Sequence, residues 1–247
     1  MNKIARNIIF FLLLMLPLSV YADMQTIPMV VAKQANGGVS YNLSIKILAV
    51  MAILTVLPAL LITMSAFTRI VVVLAILRQG LGIPNVPSNQ IVIGLSLIMT
   101  LFVMMPVLQK MNETSLQPYI QGKVSEQQSL DSSSSILKKF MLKQTRKTDL
   151  KIFSELSKTK FSPSENVSML VLMPAFVTSE LKTAFEIGFL ILLPFLIIDI
   201  VVASVLMSMG MMMLSPMVIS LPFKILFFVL VDGWTLIITS LITSFRV

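Results

Sequence analysis

The sequence predicts an all-α integral membrane protein with about four long hydrophobic helices, arranged as two hairpins, and a mostly helical polar domain between them. Apolar residues make up 56% of the 247 residues and charged residues only 12%, about half of the usual charged share. Uncharged apolar stretches recur at the length that a bilayer requires. One polar stretch, residues 109–168, separates these stretches into two groups.

The first 22 residues have the pattern of a cleavable signal peptide. A basic start precedes a short apolar core, Ile8 to Leu16, and Val20-Tyr21-Ala22 resembles a small-x-small cleavage site. An uncleaved first anchor is the alternative, but the apolar core is shorter than a full span. Cleavage would leave an N-terminal segment, residues 23–44, on the periplasmic side.

The first hydrophobic hairpin is predicted at residues 45–108. Ile47 to Met64 and Ile91 to Leu108 are each long enough to span a bilayer as a helix. Ile70 to Leu77 lies between them and is too short to span. The stretch from Gly80 to Gln90 is rich in glycine and proline and predicts a turn.

The polar domain is predicted at residues 109–168, on the periplasmic side. The region from Lys110 to Lys160 holds ten of the 19 basic residues and five acidic ones. It has only three aromatic residues, whereas a nucleic-acid surface would add aromatic platforms, so we expect no nucleic-acid partner. Asp131 to Ser135 (DSSSS) predicts a flexible break, and Lys138 to Leu156 predicts one or two surface helices that dock through apolar residues.

The signal peptide and the positive-inside rule predict opposite orientations in the membrane. The signal peptide places the polar domain outside the cytoplasm, whereas the positive-inside rule would place this basic stretch inside. Long loops obey that rule poorly, so we follow the signal peptide.

The second hydrophobic hairpin is predicted at residues 169–247 and contains a methionine-rich loop. Charged residues near position 180 interrupt its first apolar segment. Ile187 to Phe223 is almost continuously apolar and too long for one ordinary span, so Gly210 and Pro216 are predicted to divide it. Ile225 to Ile242 closes the chain.

Methionine is concentrated between Ser204 and Leu221, which contains six of the 19 methionines. Methionine is unbranched, flexible and polarizable, and fills irregular gaps without fixing one geometry. Such a cluster suits a deformable apolar seal that yields to different passengers. The alternative interpretation is a lipid-facing or core helix that happens to be rich in methionine.

Charged residues in or beside the apolar segments form a second group of candidate site residues. Charges in hydrocarbon are costly and should face protein, water or each other. Lys182 and Glu186 are four residues apart and can share a helix face. The functional interpretation is pairing between helices and between subunits, and the alternative is snorkelling at segment ends, which fits Lys224 and Asp232. The full set is Arg69, Arg78, Glu180, Lys182, Glu186, Asp199, Lys224 and Asp232.

The composition argues against an enzyme. The chain contains no cysteine and no histidine, so the common zinc, haem and iron–sulfur ligand sets are missing, as are Ser-His and Cys-His nucleophile systems. We expect no metal and no cofactor. An intramembrane protease would need Asp199 paired with Asp232, or Ser204 with Lys224. Asp232 lacks the GxGD setting of membrane aspartyl proteases.

Three segments resemble one protein family closely. They are FTRIVVVLAILRQGLG (67–82), PAFVTSELKTAFEIGFLILLPFLIIDIVVASVLMSMGMMML (174–214) and SLPFKILFFVLVDGW (220–234). They resemble the FliP/SctR family, the P subunits of type III secretion export gates, over essentially the whole chain. The virulence-associated injectisome relatives typically lack a cleavable signal, so residues 1–22 favour the flagellar branch.

The resemblance implies a ring-forming export-gate subunit, in a pentamer-like homo-oligomer with FliQ and FliR and near other export-apparatus membrane proteins. It implies a multi-pass location in the bacterial inner membrane, within the flagellar basal body. Unfolded flagellar subunits would pass through the ring. A methionine gasket would close the pore at rest, and it maps onto Met207, Met209, Met211, Met212 and Met213.

Two alternatives to this function remain. An injectisome gate subunit would share the architecture but serve virulence substrates. An ion or solute transporter would use Asp199 as a relay residue, and it would need a binding site between structural repeats at mid-membrane. The sequence shows no convincing internal repeat.

Overall fold

The structure is a computed structural model that describes residues 42–83, 86–158, 167–211 and 213–245. The chain divides into two compact units, Met1–Val50 and Met51–Val247. The predicted signal peptide, residues 1–22, and most of the predicted segment 23–44 lie outside the described residues. The described helices belong to the second unit, apart from the start of the first helix.

Every regular element in the described residues is a helix, as the sequence predicts. A π-helical turn, Asn112–Leu116, joins the third α-helix to the fourth. The α-helices are α1 (Asn42–Thr63), α2 (Phe67–Leu81), α3 (Asn89–Met111), α4 (Gln117–Ile120), α5 (Glu126–Gln144), α6 (Lys147–Leu156), α7 (Met169–Ser208), α8 (Pro216–Leu230) and α9 (Gly233–Thr243).

Two continuous helical stretches have the length and apolar composition to cross a membrane. They are Asn89–Ile120 and Met169–Ser208. Two further candidates are bent pairs: the Val50–Thr63 part of α1 meets α2 at 68°, and α8 meets α9 at 64°. The described part of the chain thus has two to four candidate spans, and the predicted all-α membrane fold is confirmed.

Helices α2 and α7 pack side by side and run in the same direction. Arg69 contacts Glu180 near the start of α2, Ile76 lies against Gly188, and Gly80 lies against Leu192 and Phe195 further along. A Cβ atom at Gly188 would lie only 2.5 Å from the Ile76 Cδ1 atom. The glycine therefore allows the two helices to approach closely.

The core lies between α2 and α7 and extends beneath the polar domain. Ile70, Val73 and Leu77 recur on one face of α2 and are buried, at the spacing that places residues on one helix face. Phe176 and Phe140 bring α7 and α5 together, with ring centroids 6.2 Å apart. The polar domain is thus packed onto α7 through apolar side chains.

The predicted flexible break at Asp131 to Ser135 is wrong, because α5 runs through it without interruption. Ser125 and Gln128 form a capping box that fixes the start of α5. Ser134 directs its hydroxyl back to the Asp131 carbonyl oxygen, at 2.9 Å. Phe140 and Met141 then bury the C-terminal end of the helix. Capping and packing outweigh the modest helix propensity of serine here.

The predicted helices within Lys138 to Leu156 are confirmed as the end of α5 and α6, separated at Thr145 and Arg146. Their predicted docking through apolar residues is also confirmed, since Phe140 and Leu150 are buried. The charged residues near position 180 interrupt the apolar run of the sequence but do not end the helix. The 40-residue helix α7 continues through its charged residues because neighbouring helices supply partners for them.

Candidate functional site

The methionine-rich segment forms the connection between α7 and α8. Helix α7 ends at Ser208, and Gly210 adopts a left-handed conformation with φ of 73°. The Gly210 amide donates to the Met207 carbonyl and the Met211 amide to the Leu206 carbonyl, both at 3.0 Å. This is the Schellman pattern that ends helices at glycine. Pro216 begins α8, so the predicted division at Gly210 and Pro216 is confirmed.

The methionine side chains of this connection are exposed in the single chain. Met207 and Met209 are exposed at the end of α7, Met211 is 40% exposed, and Met213 is fully exposed. Met212 lies outside the described residues. The thioethers therefore form an apolar surface at one end of two long apolar helices. Large exposed apolar patches mark surfaces that contact a partner, a ligand or a membrane.

A buried charge cluster around Arg69 joins four parts of the chain. Its guanidinium donates to both carboxylate oxygens of Glu180, at 2.8 and 2.5 Å, and the two side chains are 2% and 0% exposed. It also donates to the Ser244 carbonyl and hydroxyl oxygens, each at 2.9 Å. Gln144 lies 3.4 Å away, and the Phe245 ring centroid is 3.9 Å from the guanidinium carbon.

The geometry around Arg69 satisfies a charge that would otherwise be costly to bury. A planar guanidinium matches a carboxylate in a two-bond arrangement, and the contact with Phe245 is a cation–π interaction. The Ser244 carbonyl lies just beyond the end of α9, where carbonyls have no amide partner within the helix. Arg69 thus fixes the C-terminal end of α9 against α2 and α7.

A second buried cation, Lys224 on α8, joins α8 to α7 and α2. Its ammonium is 2% exposed and lies 2.7 Å from the Asp199 carboxylate. It also donates to the Gly80 carbonyl oxygen at 3.2 Å, in the last turn of α2. Ser220, four residues before Lys224, donates to the other Asp199 oxygen. The ammonium is buried within the protein, so the alternative that Lys224 snorkels out of the apolar segment is wrong.

A third group of polar contacts holds the polar domain on α7. Asp149 accepts a hydrogen bond from Ser179 at 2.6 Å, and the Arg146 amide donates to the same hydroxyl at 3.1 Å. The Arg146 side chain pairs with Glu186. Its hydrogen bond to that carboxylate raises the pKa of Arg146. These contacts anchor the start of α6 on one face of α7.

The remaining predicted charged residues lie at the surface of the single chain. Arg78 donates a hydrogen bond to Asn89 across the turn between α2 and α3. Lys182 is exposed on α7, and Glu186 takes Arg146 as its ion-pair partner. Asp232 is exposed, with φ of 48°, and its carbonyl accepts from the Leu236 amide at the start of α9. Pairing of these residues between subunits stays a prediction.

Several contributors to the charge clusters were not singled out by the sequence. Gln144, Ser244 and Phe245 complete the surroundings of Arg69, and Arg146 pairs with Glu186. A signal existed for Ser220, since it lies four residues before Lys224 in an otherwise apolar helix and must share its face. The other contacts join positions far apart in the chain, where residue spacing carries no signal. In the described residues no three acidic side chains cluster as metal ligands.

The chain is similar to flagellar biosynthetic proteins of the FliP family. The FliP family model matches residues 50–241. A flagellar biosynthetic protein FliP from Pectobacterium carotovorum subsp. carotovorum is 50% identical over 235 residues, covering 95% of this chain and 90% of the relative. The FliP from Bacillus subtilis is 49% identical, covering 82% and 92%. The FliP from Cereibacter sphaeroides is 52% identical, covering 88% and 73%.

Proposed function

Since the chain belongs to the FliP family, we propose that it is a structural, pore-forming subunit of the flagellar type III protein export gate. Unfolded flagellar subunits cross the bacterial inner membrane through a ring that several copies of the chain build with FliQ and FliR, in the flagellar basal body. Family membership is the observation that carries this proposal. The membrane-length helices and their exposed apolar faces support it.

The methionine-rich connection between α7 and α8 is the proposed gasket of this pore. Its thioethers are exposed in one chain, so copies in a ring can present them to each other. A ring of apolar side chains excludes water and ions by dewetting when the pore is empty. Methionine-rich surfaces repack around varied partners, so the gasket parts around an extended polypeptide without demanding one sequence.

The proposed mechanism is gating without covalent chemistry. The Schellman turn at Gly210 and the helix start at Pro216 hold both ends of the connection on α7 and α8. The segment between them has flexible, unbranched side chains. The two helices thus position the aperture, and the methionines supply its compliance.

The gasket is tested by replacing Met211, Met212 and Met213 with Ala in the full chain, expressed with its partners. We expect uptake of a small membrane-impermeant dye to rise, because alanine leaves a wider and less adaptable aperture. Secretion of hook protein should continue. The matched control, M51A/M105A, removes exposed methionines from α1 and α3 and should leave the barrier intact. An unchanged barrier in the triple variant, or an equal leak in the control, would contradict the gasket.

The predicted charged residues have two proposed roles in the assembled ring. Arg69, Glu180, Asp199 and Lys224 pair within one chain and stabilise the helices that carry the gasket. The exposed residues Lys182 and Asp232 and the half-buried Arg78 are proposed to contact neighbouring subunits. Substitution of the exposed group should weaken assembly without lowering the thermal stability of the single chain.

The relatives and the contacts of Asp199 argue against the two alternative functions, an injectisome subunit and a transporter. The named relatives are flagellar proteins, which supports the flagellar branch over an injectisome. Restoration of motility in a strain that lacks its own FliP tests this choice, and failure with normal expression would count against it. A transporter would need Asp199 to accept ions or protons, but its two carboxylate oxygens are occupied by Lys224 and Ser220.

A further inference from the structure

A cavity of about 340 Å³ lies between the last two turns of α3 and the C-terminal half of α5. Four lysines line it, and apolar side chains such as Pro106 and Phe140 complete its wall. None of the described residues that line it carries a carboxylate. Small-ligand sites are concave and mostly apolar, with a few polar groups that fix the ligand. The excess of positive charge here favours an anionic ligand. The lysines are Lys110, Lys138, Lys139 and Lys143.

Three of these lysines have no acidic partner among the residues that the structure describes. Two ion pairs of the polar domain join Arg146 to Glu186 and Lys151 to Glu155. Neither pair involves Lys110, Lys138 or Lys143. The charges of these three lysines are therefore not neutralised by a carboxylate of the described residues.

An apolar stripe on α3 leads to this cavity. Ile98, Phe102, Pro106 and Lys110 follow one another at intervals of four residues, so each neighbouring pair is adjacent on a stripe that winds slowly around the helix. Ile98 and Phe102 are 67% and 59% exposed. The distance along the helix from Ile98 to Lys110 is about 18 Å, close to the roughly 15 Å of hydrocarbon in one bilayer leaflet. The helix belongs to the membrane-length stretch Asn89–Ile120.

We propose that the cavity binds an anionic phospholipid. Lys110, Lys138 and Lys143 hold the phosphate of the headgroup, and an acyl chain lies along Ile98 and Phe102. Charge complementarity and the continuity of the stripe with the cavity select this occupant. Basic pockets beside membrane helices bind anionic headgroups in this manner. The proposal requires a membrane location and does not depend on the export-gate function.

The test uses the full chain, purified in detergent and titrated with phosphatidylglycerol in native mass spectrometry. K110Q/K138Q/K143Q should bind this lipid at least about tenfold more weakly than the unchanged chain, because each lysine near a lipid surface contributes on the order of 1 kcal/mol. The control K123Q/K147Q/K151Q removes the same charge from exposed positions outside the cavity. It should bind as the unchanged chain does.

Further arms of the titration identify the source of the phosphate. Phosphatidylethanolamine and inorganic phosphate should each bind much more weakly than phosphatidylglycerol. Phe102→Ser should weaken phosphatidylglycerol binding several-fold, and Phe102→Leu should preserve it. The Phe102 pair also tests the proposal if the triple lysine variant fails to fold.

Four results would overturn the proposal. Equal losses in the two triple variants would show that only net charge matters. Equal binding of the two lipids would remove the headgroup selectivity. Phosphate binding as tight as lipid binding would indicate a site for a free anion. Loss of multi-copy assembly in the cavity variant, with lipid binding unchanged, would indicate a contact between copies of the chain.

Discussion

Two buried cations, Arg69 and Lys224, each hold the C-terminal end of a helix. Arg69 donates to the Ser244 carbonyl after α9, and Lys224 donates to the Gly80 carbonyl in the last turn of α2. Carbonyls at these positions have no amide partner within their helix, and a cation is favoured there by the helix dipole. Glu180 and Asp199 then balance the two charges. Each cluster therefore neutralises a buried charge and also supplies a hydrogen-bond donor to a carbonyl at the end of a helix.

Replacing Glu180 with Ala should destabilise the chain strongly. The substitution leaves the Arg69 guanidinium buried without its carboxylate, and breaking a buried pair in this way typically costs about 3–5 kcal/mol. The free energy of unfolding can be measured by denaturant titration in detergent. Glu186→Ala is the matched control on the same helix, and its effect should be small because the Glu186 carboxylate is half exposed.

A double variant separates the lost charge pair from lost packing. R69M/E180M removes both charges and keeps apolar volume, so it should recover part of the stability that Glu180→Ala loses. Recovery will be incomplete because Arg69 also bonds Ser244. Equal unfolding free energies for Glu180→Ala and Glu186→Ala would contradict this account of the cluster.

The need of these charged residues for partners was predictable at this scale, but the identity of most partners was not. A charge inside an apolar run needs a partner, which singled out Asp199 and Lys224 from the sequence. Arg69 and Glu180 are 111 positions apart. Their pairing depends on how α2 packs on α7, and local spacing carries no information about that. Lys182 and Glu186 are four residues apart on α7, as the spacing implied, but the ion-pair partner of Glu186 is Arg146, which lies 40 positions away and could not be read from that spacing.

At the scale of helices, the close parallel packing of α2 on α7 positions both charge clusters. Gly188 lies against Ile76, and Gly80 lies against Leu192 and Phe195. Glycine at these points removes the side chain that would separate the helices. The same packing positions the Arg69 cluster near one end of the contact between α2 and α7 and the Lys224 cluster near the other end. A change in the separation of these helices would therefore disturb both clusters.

Gly188→Leu should destabilise the chain, because a Cβ at this position already lies 2.5 Å from the Ile76 Cδ1 atom. Overpacking of this kind typically costs about 1–3 kcal/mol. Gly94→Leu is the matched control within α3, where no atom lies within 4 Å of the added Cβ. It should be neutral or slightly stabilising, since leucine favours a helix over glycine by somewhat less than about 1 kcal/mol.

Thermal unfolding of the two glycine variants in the same detergent provides the measurement. The expected order of midpoints places Gly94→Leu at or above the unchanged chain and Gly188→Leu below it. A reversed order would show that the packing of α2 on α7 is looser than the structure indicates.

Helix ends were easier to predict than helix continuity. Gly210 and Pro216 act locally, one through its left-handed backbone and the other through its fixed φ at a helix start. The sequence therefore located the methionine-rich connection correctly. The serine run in α5 led to the wrong prediction of a flexible break. That helix is stabilised by the packing of Phe140 and Met141 against other elements, which local sequence does not reveal.

At the scale of the molecule, one chain leaves much apolar surface uncovered. Only 11% of the most apolar window of α7 is buried, and α8 exposes Val218, Phe223 and Leu230. Lipid or other subunits must cover such a surface, because soluble monomers rarely expose large continuous apolar patches. The fold class was predictable from composition and segment length. Which parts of the uncovered surface contact lipid and which contact protein depends on other molecules, so this could not be predicted from the sequence.

Native mass spectrometry of the chain, alone and after co-expression with FliQ and FliR, tests the proposed ring. We expect a defined multi-copy species that recruits both partners, because the apolar faces of α7 and α8 need cover. As a control, the same preparation carrying Gly188→Leu should assemble less well, since that substitution disturbs the helices that carry these faces. A stable monomer or dimer that ignores FliQ and FliR would contradict the export-gate proposal.

The length of α7 places the polar domain and the methionine-rich connection at opposite ends of one helix. Forty residues of α-helix extend about 60 Å, roughly twice the hydrocarbon thickness of a bilayer. The polar domain contacts the first half through Ser179 and Glu186, and the methionine-rich connection follows the last residue. If the helix pivots as one body by about 10° around its middle, each end moves by about 5 Å. We therefore expect a small rocking of the polar domain to shift the methionine-rich connection by about the width of a polypeptide chain.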